Sequence, residues 1–348
     1  MKKILILALA LALVLSLAAC GGNGGGDAPA PDPAPAPAPA APDESAAAGD
    51  ATTYDVGVCI YKFDDNFMTY YRNEIESYFA TLEAESDGAV KYNISIVDGN
   101  GDMATQTNQV DNFIAAGVDV LIVNLVQSSS AATITQRAQD ANIPVVYINR
   151  EPSAEDMAAW DKICYVGADA RQSGTYQGEI IASLPDHGDA DGDGVVRYVM
   201  IIGDPENVDA QYRTEFSIKA LTDAGIEVEE LFAQRGDWAQ EKGQELAATA
   251  LAQFGDKIDV IFCNNDGMAL GANQSIQGAG RKVGEDIYLV GVDAIPEALD
   301  LIQQGLMTGT VLNDHVGQSH TAVDAAIKYL NGETVDTYLI VDYQKVTG

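Results

Sequence analysis

The sequence is short of positive charge: 19 basic side chains stand against 52 acidic ones, a formal charge of −33 over 348 residues. Neutralising a phosphate backbone takes clustered Lys and Arg, so nucleic acid is excluded as a partner, and anionic lipid offers no attraction. Cysteine is scarce as well. Cys20, Cys59, Cys164 and Cys263 show no CxxC or other ligand spacing, which excludes a disulfide framework and a zinc site. The three histidines stand without triad partners, and G-x-S-x-G, H-E-x-x-H and Gly-Lys phosphate loops are all missing. A glycosidase working with two of Asp65, Asp209 and Asp293 is the enzymatic alternative, but nothing in the sequence marks one of these carboxyls for a raised pKa. The composition describes an acidic protein of about two domains with a small ligand or a protein as its partner.

No apolar run reaches the ~20 residues that a membrane span needs. The longest, Ile4 to Ala19, has 16 residues and follows Lys2 and Lys3, the pattern of an export signal. It closes on Leu17-Ala18-Ala19-Cys20, which resembles the lipobox of bacterial lipoproteins, in which the cysteine is diacylated and becomes the new N-terminus. This implies a signal peptide over 1–19 and an extracytoplasmic protein, lipid-anchored through Cys20 to the outer face of the cell membrane, with a periplasmic protein as the alternative. Two acyl chains are what stable anchoring requires. Seven of the 12 prolines fall between Pro29 and Pro42, alternating largely with alanine, so residues 20–53 read as a Gly/Pro/Ala-rich tether.

From Tyr54 onward, short unbroken apolar runs alternate with helix-length amphipathic segments. The runs are Val56 to Tyr61, Tyr92 to Val97, Val118 to Val123, Pro144 to Ile148, Val195 to Ile202, Ile258 to Phe262, Ile287 to Val292 and Thr308 to Leu312. This order predicts α/β architecture with doubly wound parallel sheets and helices on both faces. Cys59, Cys164 and Cys263 sit in strand-like runs and are expected to be core.

Ligands of open α/β sheets bind beyond the carboxyl ends of the strands. The residues there are one-sided in character: Asp65 and Phe67, Asn149, Asp209 and Arg213, Trp238, Asn265, Asp293 and Asn313. Asp and Asn pair with hydroxyls, Arg supplies a fixed fork of donors, and aromatic faces cover the C–H face of a sugar ring. Together they point to a neutral polyhydroxylated ligand. Singly, each Asp or Asn could equally be a helix N-cap, and an aromatic side chain could simply be packing.

Val58 to Phe67 (VCIYKFDDNF), Pro144 to Ser153 (PVVYINREPS), Tyr165-Val166-Gly167, Asn264 to Gly271 (NNDGMALG), Gly291 to Ala298 (GVDAIPEA) and Gly309 to Asp314 (GTVLND) carry a resemblance. They are similar, in the same order over Tyr54 to Thr347, to the galactose/glucose-binding proteins, type I periplasmic binding proteins of sugar ABC transporters. The resemblance implies two doubly wound lobes joined by a three-segment hinge, 54–168 plus 313–340 and 169–312 plus 341–348. It places ring-sandwiching aromatics at Phe67 and Trp238, and hydroxyl partners at Asp65, Asn149, Asp209, Arg213, Asn265, Asp293 and Asn313. Asn207 stands where the family has a histidine, which bears on which hexose is preferred. The implied protein is a monomer that closes on a hexose and delivers it to ABC permease subunits. The alternatives are a receptor serving a chemoreceptor or sensor kinase, and a relative specific for a pentose or galactoside.

Asp189-Ala190-Asp191-Gly192-Asp193-Gly194-Val195 has carboxylates at positions 1, 3 and 5, a glycine at 6 and a backbone carbonyl at 7, as in an EF-hand loop. The resemblance implies a structural Ca²⁺ here and no other cofactor. Its remaining ligands in the family, a glutamine and a distant glutamate, read Arg197 and Asp259. The expected set is therefore Asp189, Asp191, Asp193, Val195 and Asp259, weakened by a cationic side chain with no lone pair.

Overall fold

A computed structural model describes residues 51–348; the expected signal segment, Cys20 and the tether up to residue 50 lie outside the described residues. The chain opens with β1 (Thr52–Ile60), α1 (Asn66–Glu85), β2 (Val90–Asp98), α2 (Met103–Ala116), β3 (Val120–Val123), α3 (Ala131–Ala141), β4 (Val145–Ile148), the one-turn α4 (Ala154–Met157) and β5 (Ile163–Gly167). It continues through α5 (Ala170–Ala182), β6 (Val196–Ile202), α6 (Val208–Asp223), β7 (Val228–Arg235), α7 (Gln240–Phe254), β8 (Val260–Cys263), α8 (Asp266–Gly278), β9 (Tyr288–Val290), α9 (Pro296–Gln303) and β10 (Gly309–Leu312). Last come α10 (His315–Leu330), β11 (Tyr338–Ile340) and β12 (Gln344–Thr347).

These strands form two six-stranded sheets, ordered β11-β5-β4-β3-β1-β2 and β12-β10-β9-β8-β6-β7. Without β11 and β12, both follow the doubly wound order in which the first strand lies between the second and the third. All pairs are parallel except β10 with β12. The chain passes between the sheets three times: between β5 and α5, between β10 and α10, and between β11 and β12.

Each sheet is covered on both faces, which is why its strands read as continuous apolar runs. Val58, Ile60, Val120 and Ile122 pack under Tyr71, Ile75 and Phe79 of α1 and Ala322 and Val323 of α10, while Leu121 and Tyr147 meet Ile134 and Ala138 of α3 on the other face. In the second lobe Ile201 and Ile261 pack on Ala247 and Met268, and Met200 and Phe262 on Ile180 and Leu221. Cys59, Cys164 and Cys263 are free and buried.

Four strands fall outside the apolar runs singled out in the sequence. β5 is buried but only five residues long, β7 is an edge strand with exposed Glu229, Glu230 and Arg235, and β11 and β12 are short, largely exposed edge strands. Thr52 and Thr53 are also corrected from tether to β1. Thr52 donates its N–H to the Ala89 carbonyl at 2.9 Å and pairs with Val90, a contact that composition cannot reveal.

Helices α5 and α6 touch at Gly178, where an added Cβ would lie 2.6 Å from the Ala220 Cβ and also collide with the Ser217 carbonyl oxygen. Gly178→Ala is expected to lower stability by about 1–3 kcal/mol, measured by urea unfolding, because rigid backbone cannot yield. In the same lobe, fully buried Asp266 accepts hydrogen bonds from Thr310 Oγ1 (2.6 Å) and the Ile295 N–H (3.1 Å), tying α8 to β10 and α9. Burial pushes its carboxyl from 3.8 up to about 7. Stability from its protonation is thus full below pH ~4 and lost as pH rises through ~7. Asp266→Asn should flatten that part of the pH dependence of the thermal midpoint; an unchanged slope between the two would contradict it.

Candidate functional site

Parallel strands bring their carboxyl ends to one edge of each sheet, and the loops leaving those ends meet at a single cavity. Its empty volume, counting the space open to solvent, is about 340 Å³. All ten residues singled out in the sequence line it: Asp65, Phe67, Asn149, Asn207, Asp209, Arg213, Trp238, Asn265, Asp293 and Asn313. Tyr61, Met68 and Arg150 line it as well. These three follow strands or neighbour quoted motif residues, so a full inspection of strand ends would find them.

Two buried asparagines hold the loops in place. Asn124, after β3, accepts from the Tyr61 N–H (3.2 Å) and donates to Asn149 Oδ1 (3.0 Å). Asn264, after β8, occupies the corresponding place in the second lobe, fully buried and accepting from the Gly203 N–H (3.0 Å). Asp65, Asn207 and Asn265 are helix N-caps, accepting from the N–H groups of Met68 (2.8 Å), Asp209 (2.7 Å) and Met268 (3.0 Å). These residues cap helices and line the cavity at once, and the second polar atom of two of them is bonded as well: Asn265 Nδ2 donates to the Trp238 carbonyl (3.2 Å), and Asp65 Oδ2 accepts from the Tyr61 hydroxyl.

Backbone strain concentrates here. Asn149 (φ 61°), Trp238 (φ 64°), Asp293 (φ 126°) and Ala294 (φ 54°) are non-glycine residues in positive-φ conformations, which persist only where surrounding packing imposes them. Gly203 leaves room for the Trp238 indole, against which any Cβ at that position would collide.

The polar groups are arranged as incompletely satisfied pairs of opposite character. Arg213 donates to the Asn264 carbonyl (2.7 Å) and the Tyr343 hydroxyl (3.0 Å), but its Nε is buried without a partner among the described residues, as is Trp238 Nε1. Burial works against the Arg213 charge, yet Tyr343, Asp293 and Asp209 together raise its pKa. Burial raises the pKa of Asp209, opposed by Arg213 and Arg150. It raises that of Asp293 well above the ordinary range, again opposed by Arg213, while Asn313 Nδ2 donates to Asp293 Oδ1 at 3.1 Å. Two perturbed carboxyls therefore do exist, contrary to the sequence reading. Their perturbation comes from burial, which only folding produces. Arg150 stacks 3.7 Å over the Tyr61 ring and donates to the Val126 carbonyl. Tyr61 in turn donates to Asp65 Oδ2 at 2.6 Å.

Contacts also cross the cleft at its rim. The Tyr70 hydroxyl of α1 lies 3.1 Å from both carboxylate oxygens of Glu297 on α9, and Gln127 Nε2 donates to Glu206 at 3.2 Å.

The acidic loop lies apart from this cleft, between α5 and β6. Carboxylate oxygens of Asp189, Asp191 and Asp259 come within 4.8 Å of one another. Asp193, expected beside them, is instead bound by Arg197 Nη1 at 2.8 Å, and the same nitrogen is 3.8 Å from Asp191 Oδ2. Both oxygens of Asp259 accept backbone N–H groups, from Ala190 (3.2 Å) and Arg197 (2.7 Å). Calcium requires six to eight oxygens, and a guanidinium among them repels a second cation. The donor set of Asp189, Asp191, Asp193, Val195 and Asp259 does not fit Ca²⁺.

The periplasmic binding protein domain matches residues 56–334. A D-galactose/methyl-galactoside binding periplasmic protein from Haemophilus influenzae is 37% identical over 294 residues, 83% of this chain and 86% of that protein. A D-ribose/D-allose-binding protein from Pseudomonas aeruginosa is 29% identical over 74% of this chain and 79% of its own length. Among solved structures, an ABC transporter solute binding protein from Bacillus halodurans with bound myo-inositol superposes with a TM-score of 0.73 at 29% identity, covering 86% of this chain and 96% of that one. No helix among the described residues is long and apolar enough to cross a membrane. The chain belongs to the periplasmic binding protein family, to the type I, extracytoplasmic sugar-binding proteins of ABC transporters, and it is a binding protein rather than an enzyme.

Proposed function

We propose that this protein captures a neutral hexose of the galactose/glucose type between its lobes and presents it to ABC permease subunits. The observation that carries this reading is the convergence of buried, incompletely bonded polar groups of both lobes on one cavity with Phe67 and Trp238 in its wall. Ligand hydroxyls would donate to Asp209 and Asp293 and accept from Arg213, Asn149 and Asn207. A bond with a charged group on one side, as at Arg213, is worth ~1.5–3 kcal/mol. The 37% relative is named for galactose, a hexose, and the 29% relative for both a pentose, ribose, and a hexose, allose, which together favour a hexose.

The two lobes would swing about the three crossings and close over the sugar. Closure is driven by the ligand only through bonds stronger in the closed state, and a site drawing on both lobes supplies them. The Tyr70–Glu297 and Gln127–Glu206 bonds belong to that closed arrangement. Cys20 would carry the lipid that keeps the protein at the membrane.

Calorimetry of the full chain against galactose, glucose, ribose and myo-inositol tests the ligand. Tight binding of a hexose is expected, and Asp293→Ala should weaken it by about 10- to 100-fold. Heat with ribose or myo-inositol alone would overturn the hexose assignment. The anchor is tested in cells: Cys20→Ala should release the protein from the membrane fraction, and full retention of that variant would contradict lipidation.

A further inference from the structure

We propose that Arg197 is the built-in cation of the acidic loop, so that the second lobe is held by an arginine where the loop pattern suggests a metal, and its stability is independent of calcium. The loop from Asp189 to Val195 carries three carboxylates within seven residues, and it is ordered by its own backbone. Asp189 Oδ1 accepts from the Gly192 and Asp193 N–H groups (2.9 and 3.2 Å) and its Oδ2 from Gly194 (2.9 Å). Asp191 and Asp193 accept in the same manner from Asp193 and Val195 (both 3.1 Å). What these bonds leave is concentrated negative charge.

Arg197 meets that charge from β6. Its Nη1 sits on Asp193 and faces Asp191, while its Nε donates to Glu229 at 3.0 Å. Glu229 is its registered neighbour on the edge strand β7, so one guanidinium joins the loop, the strand and the sheet edge. Its side chain is only 19% exposed, and its planar fork serves two carboxylates at once, which an ammonium would do less well. Arg197 is the ninth residue counted from Asp189, a position from which an EF-hand loop contributes a ligand, often through water. Here that position supplies donors and a positive charge.

Asp259, just before β8, completes the arrangement. Its two oxygens clamp the N–H groups of Ala190 and Arg197, fixing both ends of the loop, and a bidentate turn toward a metal would break both bonds.

Thermal unfolding of the full chain, in EDTA and in millimolar CaCl₂ with MgCl₂ as the ionic control, tests this. The unchanged protein should unfold at the same temperature in all three. Arg197→Gln, which removes the charge and offers an amide oxygen, should unfold about 2–4 °C lower in EDTA and recover with CaCl₂ but not with MgCl₂. Arg197→Lys keeps the charge and should fall less and ignore calcium. A calcium-raised midpoint in the unchanged protein would overturn the proposal, as would an Arg197→Gln variant that is as stable as the unchanged protein or gains nothing from calcium.

Discussion

Carboxylates held out of water govern this protein. Asp209 and Asp293 are buried at the cleft and Asp266 lies behind them, and burial raises the pKa of all three. A lone buried charge would be expelled or neutralised. What keeps the cluster tolerable is Arg213, itself buried, whose charge opposes the upward shift of both cleft aspartates. The strained backbone at Asn149, Trp238 and Asp293 is imposed by the loops that position this arrangement.

The same problem is solved differently at two places in the second lobe. In the cleft, bonding capacity is left over: Arg213 Nε and Trp238 Nε1, on two residues that line the cavity, are buried without a partner among the described residues. In the acidic loop, backbone N–H groups and Arg197 absorb the carboxylates' capacity locally. Unsatisfied groups suit recognition of a ligand, whereas satisfied ones suit rigidity.

The two lobes repeat one design. Each places its first strand between the second and third, and each uses a buried asparagine, Asn124 or Asn264, after the third strand to clamp the loop leaving the first. That clamp fixes where Tyr61 and Gly203 begin their turns, and through Gly203 it sets the place of the Trp238 indole.

Much of this is legible in the amino-acid sequence, because parallel strands buried on both faces must be apolar throughout and their loops must carry the polar chemistry. Alternating runs and helices, and nine of the ten cavity residues singled out, follow from that rule, while Asn207 rests on the family resemblance. Short edge strands such as β11 and β12 bury too little to leave a pattern, and β7 has one exposed side. Tyr61 and Arg150 also follow strands; what the rule does not show is that they stack on each other, ring and guanidinium 3.7 Å apart. The acidic loop shows the limit most clearly. Its spacing alone reads as a calcium site, since spacing records which oxygens are near in sequence. The sequence also places Arg197 four residues after Asp193, but only the tertiary structure sets it against Glu229 and turns Asp259 onto the backbone, because those contacts join β6, β7 and the start of β8. The sequence determined the kinds of groups available at each strand end; packing alone decided which of them are buried, which are paired, and which are left to meet a ligand.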